Sequence, residues 1–159
     1  MKQYNILFLC THNSARSIIG EALASTHPSG KFKGFSAGSV PGDSINPIAA
    51  DIAVELGMDR ALLQSKSWDV FSKPGAPQMD FIITVCDNAA GEVCPFWPGQ
   101  PVTAHWGFPD PSLVQGTDLE KKMAFISVLN ELKKRIDLLA EIPLEKLDSL
   151  SLKEIHTKA

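Results

Sequence analysis

The residues best suited to chemistry stand together as Cys10-Thr11-His12-Asn13-Ser14-Ala15-Arg16-Ser17. A cysteine, five residues, then an arginine and a serine is a spacing that can hold a tetrahedral oxyanion beside a thiol. The small and polar residues between them let the backbone curl so that successive N–H groups point inward. A helix that starts at Arg16 adds the positive end of its dipole to the same place. Arg16 brings a planar fork that grips two oxygens, which a lysine does less well. In that field the Cys10 thiol is expected to lose its proton readily, because a thiolate at a helix N-terminus beside a cation is stabilised. Ser14 and Ser17 can donate hydrogen bonds to the sulfur. No Gly-Lys-Ser/Thr follows, so a nucleoside triphosphate is not the expected ligand. Cys10 is thus the candidate nucleophile, and Thr11, His12, Asn13, Ser14, Ala15, Arg16 and Ser17 form the candidate oxyanion cradle.

Cys86 and Cys94 complete an odd set of three cysteines, which argues against a closed disulfide framework and for thiol chemistry. Zinc is the competing use. However, seven residues separate Cys86 from Cys94, and only His105 lies nearby as a third ligand, against the short spacing usual in structural zinc sites. His105 reads instead as a hydrogen-bonded structural residue, and His27 and His156 as turn and tail residues.

The elements around these residues must hold them. Residues 4–9, YNILFL, are a short and nearly continuous apolar run, as suits a strand buried on both faces of a parallel sheet. A helix is expected from Arg16 to about Thr26, with Ile18, Ile19, Ala22 and Leu23 inward and His27-Pro28-Ser29-Gly30 as its stop. Phe32–Gly38 reads as a second strand. Pro47 opens a helix through about Leu56, and Gly57 sits past its end as a cap. Residues 80–86, DFIITVC, crowd β-favouring side chains into the strongest internal strand, and 101–106 forms an edge strand. From Asp118 to about Ala140, Leu119, Met123, Ile126, Leu129, Leu132, Ile136 and Leu139 advance by three and four, the pattern of an amphipathic helix. Glu131, Lys133, Lys134 and Arg135 mark its wet face. After Pro143 a last helical piece is expected to pack loosely. Trp97, Trp106, Phe96 and Phe108 cap the sheet edge in the plainest reading and border a docking surface or lid in the other.

Strands alternating with helices imply a parallel α/β sheet with ligands beyond its carboxyl edge, where Cys10 and Cys86 both end strands. With 159 residues, 44% of them hydrophobic, the chain reads as one domain over 1–159. A net charge of −3 offers no basic field for nucleic acid, so an anion must be captured by a local device. No apolar run reaches the length of a membrane helix, and the start MKQYNILFLC enters a strand at once. A cytoplasmic protein is expected.

LFLCTHNSARS, residues 7–17, resembles the signature of the low-molecular-weight protein tyrosine phosphatases and of the arsenate reductases related to them. The resemblance covers roughly residues 4–140. It implies a three-layer α/β sandwich around a four-stranded parallel sheet. It also implies that Asp110, in Asp110-Pro111, is the acid that protonates a departing oxygen, a step chemically needed to expel alkoxide or hydroxide. The phosphatases usually carry aromatic residues after that Asp-Pro, whereas Ser112 and Leu113 follow here. The reductases use three cysteines in relay, and Cys10, Cys86 and Cys94 match them one by one. The implied reaction is therefore reduction of arsenate to arsenite, with phosphate or sulfate as analogues of the substrate. Hydrolysis of phosphate monoesters through a Cys10 phosphoenzyme is the alternative. Thioredoxin, or glutaredoxin with a low-molecular-weight thiol, is the implied reductant. Two features set the chain apart: the Cys86–Cys94 spacing is one residue longer than in the thioredoxin-coupled members, and His12 stands where they commonly have glycine. No tightly bound cofactor is expected, although Asn13, Glu21 and Ser36 match residues that bind a potassium ion in some of those reductases. Where these supply an aspartate as well, the chain has Ser65 or a neighbour.

Overall fold

The computed structural model describes residues 3–10, 12–13, 15–42, 44–85, 102–108 and 111–141. β1 (Tyr4–Cys10) lies inside a four-stranded sheet with β2 (Phe32–Gly38), β3 (Phe81–Thr84) and the edge strand β4 (Val102–His105), in the order β2-β1-β3-β4. Every pair is parallel. β1 is apolar almost throughout because both of its faces are covered. Ile6, Phe8 and Cys10 point into the larger core, while Leu7 and Leu9 meet Trp68, Phe71 and Met79 on the other side.

α1 (Arg16–Ser25) follows β1 and is buried along Ser17–Ala24, more completely than a one-faced helix would be. Two glycines allow this. A Cβ at Gly20 would stand 2.7 Å from the Phe8 ring, and one at Gly34 of β2 would collide with the Glu21 carbonyl of α1. Because that neighbour is backbone and cannot turn aside, Gly34→Ala is expected to destabilise the protein by about 1–3 kcal/mol, the range for overpacking. Urea unfolding would measure it, and an unchanged midpoint would contradict this close approach.

α2 (Pro47–Leu56) starts as its sequence suggests. Asn46 Oδ1 accepts from the N–H groups of Ile48 (2.9 Å) and Ala49 (3.3 Å), Pro47 takes the first turn, and Gly57 closes the helix at φ 115°. A single helical turn, α3 (Asp69–Ser72), and 3-10 turns at Arg60–Leu62 and Pro111–Leu113 are additions that periodicity did not reveal.

α4 (Asp118–Glu141) has the expected extent, but its inward stripe is Phe125, Val128, Leu132, Ile136 and Leu139. Leu119 and Met123 are 70% and 55% exposed. The sequence carries two interleaved stripes at its start, and the one with the bulky Phe125 faces the core. Arg135 also departs from the wet face assigned to it: it is half-buried, with its guanidinium 4.7 Å from the centre of the Phe108 ring. Burial lowers its pKa, against the opposing charge of Glu131. The last helical piece expected after Pro143 lies outside the described residues.

The connections leave the middle of the sheet in opposite directions, toward β2 from β1 and toward β4 from β3. Such a divide opens a crevice beyond the carboxyl ends of the two strands. Leu9 pairs with Thr84, and the Val85 N–H donates to the Leu9 carbonyl at 2.9 Å, so the β1–β3 ladder runs to within one residue of Cys10.

Candidate active site

Cys10 stands at that crevice, 6% exposed, packed in the core cluster that also holds Ala15, Trp106 and Phe108. Ala15 precedes α1 and has no side chain that could cap it, so the helix dipole is left directed at the loop. Asn13 has the one positive φ among the described non-glycine residues, 49°, a conformation asparagine tolerates better than most. Its side chain is fully buried and shapes the loop from within. Nδ2 donates to Ser17 Oγ at 2.8 Å, and Oδ1 accepts the Lys66 backbone N–H at 2.9 Å.

His12 faces outward. Its Nδ1 donates to the Val40 carbonyl at 3.1 Å, and its own carbonyl accepts from Gly42 N–H and from the Ser65 hydroxyl at 2.8 Å. The ring therefore ties the loop to the segment after β2. Arg16 Nη1 donates to the Phe108 carbonyl at 2.7 Å, across 92 residues of sequence. The arginine that would grip an anion is thus already held beside the stretch that leads to Asp110, and Arg135 stacks on Phe108 as well.

The Thr84 hydroxyl pairs with His105 Nδ1 at 2.7 Å at the ends of β3 and β4, which gives His105 the structural role read for it. The His27 imidazole accepts the Ser29 N–H at Nδ1, so its Nε2 donates to Asp137 Oδ1 at 2.8 Å and fastens the turn after α1 to α4. Trp106, which follows the edge strand, is fully buried in the main core, and Phe108 nearly so.

Glu21 and Ser36 meet, and Asn13 is linked to them through Lys66, a residue that the sequence did not single out. The Ser36 hydroxyl donates to Glu21 Oε1, and Lys66 Nζ lies 3.9 Å from the same oxygen. Burial raises the Glu21 pKa, opposed by Ser36 and by Lys66, while burial lowers the pKa of Lys66, opposed by Glu21. Only a contact spanning 53 residues, from Asn13 to Lys66, reveals this link to the loop. Thr11, Ser14, Cys86, Cys94 and Asp110, and with them Trp97 and Phe96, lie outside the described residues.

A buried thiol at the end of a central parallel strand, an αL asparagine in the loop and an arginine at the head of the next helix form the frame of a cysteine-based oxyanion site. The family model described as low molecular weight phosphotyrosine protein phosphatase matches residues 5–150. The chain belongs to that family. Among its relatives is an arsenate reductase of Halalkalibacterium halodurans, 35% identical over 141 residues that cover 89% of this chain and 98% of the relative. A solved structure of an arsenate reductase in the phosphate binding state is similar at TM-score 0.63 and 26% identity, covering 88% of this chain and 97% of that one. The thioredoxin-dependent arsenate reductase of Corynebacterium glutamicum is similar at TM-score 0.54 and 27% identity, over 86% of this chain and 63% of that one. The family's four-stranded parallel sheet with flanking helices agrees with the architecture expected from the sequence. Among the described residues no helix is long and apolar enough to cross a membrane.

Proposed function

We propose that this member of the family reduces arsenate to arsenite. The observation that carries the reading is the placement of Cys10 at the end of β1, beside the β3 end that runs on toward Cys86, in a chain that matches arsenate reductases over nearly their whole length. Arsenate sits in the loop amides and on the Arg16 guanidinium, which exchanges its Phe108 carbonyl for substrate oxygens or adds them to it. The Cys10 thiolate attacks arsenic, an As–S bond forms, and an oxygen leaves as water with a proton from Asp110. The Cys86 thiolate then attacks the Cys10 sulfur. The S–S bond forms as the S–As bond breaks, its electron pair stays on arsenic, and As(V) leaves as As(III) arsenite. Cys94 next attacks the Cys86 sulfur, which frees Cys10 as thiolate and moves the disulfide to Cys86–Cys94. A dithiol protein such as thioredoxin, or glutaredoxin with a low-molecular-weight thiol, returns the two electrons. The site belongs in a reducing, cytoplasmic setting, where such thiols are kept available.

The same loop favours a second activity, because a Cys10 phosphoenzyme needs only water to complete hydrolysis. One comparison decides between them: arsenite formed with thioredoxin or with glutathione plus glutaredoxin, against phosphate released from an aryl phosphate. Arsenite formation far above hydrolysis is expected. Hydrolysis alone would make the chain a phosphatase.

A further inference from the structure

Asn13, Glu21 and Ser36 do not make an open oxygen cage for a potassium ion. The carboxylate oxygen that accepts the Ser36 hydroxyl already has the Lys66 ammonium 3.9 Å away, and Asn13 Oδ1 is engaged by the Lys66 N–H. A metal cation added there would share one carboxylate with an ammonium, and like charges that close in a buried setting repel strongly. The residues present therefore do not fit a bound ion.

We propose that Lys66 is a tethered cation that stands where a potassium ion would otherwise be needed, and that it positions the Cys10 loop from behind. Lys66 reaches three parts of the site at once. Its ammonium answers the charge of Glu21 on α1 and is held in place by a 2.8 Å bond to the Gln64 carbonyl. Its backbone N–H, which an alanine would keep, fixes Asn13, whose amide holds Ser17. Its carbonyl accepts the N–H of Gly38, the residue that ends β2. The Lys66 side chain is only 22% exposed and that of Glu21 10%, so solvent ions compete poorly for the carboxylate. Lys66 touches no reacting atom and is a positioning residue. A free ion would dissociate and make the loop depend on salt composition, whereas a cation carried by the chain cannot be lost.

The test reads the loop, not the reaction, so its outcome is independent of whether arsenate or a phosphate ester is the substrate. The thermal midpoint and the rate of Cys10 alkylation by iodoacetamide, followed by mass spectrometry of its peptide, would be compared in potassium chloride and choline chloride of equal ionic strength. The wild-type protein should be indifferent, within about 1 °C and about twofold in rate, since no ion binds the folded state. Lys66→Ala should alkylate about tenfold more slowly in choline and recover most of that loss in potassium or ammonium, which fit the vacated space. Lys66→Ala combined with Glu21→Gln should again ignore the salt, because no buried charge is left to answer. A wild-type response to potassium overturns the proposal, as does a Lys66→Ala protein that matches wild type in choline or is equally impaired in both salts. If Lys66→Ala is insoluble, the double variant must be soluble and indifferent to salt; an insoluble double variant also overturns it.

Discussion

Cys10→Ser is expected to abolish arsenate reduction and any aryl-phosphate hydrolysis together, by at least about 10³-fold, since the hydroxyl is far less acidic than the thiol and a nucleophile acts as a unit with its loop. The substitution is nearly isosteric at a position that is 6% exposed, within a strand whose hydrogen bonds are made by backbone. Folding should therefore survive, with a stability change within about 1 kcal/mol. Phosphate should still protect the variant against heat, because the loop amides and Arg16 remain. Arsenite formation and phosphate release would be measured on the same preparation. Appreciable turnover in either assay would remove Cys10 as the nucleophile, and loss of phosphate protection would mean that the serine had disturbed the cradle.

The second large effect separates the two chemistries. Cys86→Ser and Cys94→Ser should each stop multiple turnover of arsenate, a loss of at least about 10²-fold, while aryl-phosphate hydrolysis stays within about threefold of wild type. Hydrolysis uses water as its second nucleophile, but the reductase must pass its electrons along sulfur. Cys94→Ser exposed to arsenate should also accumulate a Cys10–Cys86 disulfide, visible as a cross-linked peptide by mass spectrometry. Arsenate turnover that persists in the double variant with a low-molecular-weight thiol would sink the intramolecular relay and leave Cys10 standing as the nucleophile.

Much of the scaffold was legible in the sequence because it depends on local signals. β2 runs over Phe32–Gly38 as read, α2 begins at Pro47 and ends before Gly57, and α4 spans Asp118–Glu141 against an expected Asp118–Ala140. Where local signals were ambiguous the reading slipped. The early part of α4 offers two interleaved apolar stripes, and only packing against the rest of the core chooses Phe125 over Met123. The short turns at 60–62, 69–72 and 111–113 are too brief for any period to show. The cysteine, arginine and asparagine of the site were visible because their spacing is compact. Lys66 and Arg135 were not, because their roles arise from contacts with residues as far as 53 positions away in the first case, and from stacking on an aromatic ring distant in sequence in the second. Arg135 reads in the sequence as an ordinary solvated charge.

The Val85 N–H donating to the Leu9 carbonyl has a further kinetic meaning. Among the described residues it is the last rung between β1 and the segment that continues β3. A thiol borne by the same chain reacts with Cys10 as a unimolecular partner. Short tethers give effective molarities in the millimolar range or above. A tethered sulfur competes with dissolved thiols through proximity instead of a binding site. Selectivity in the order of the proposed electron transfer would then come from the tether, not from an affinity.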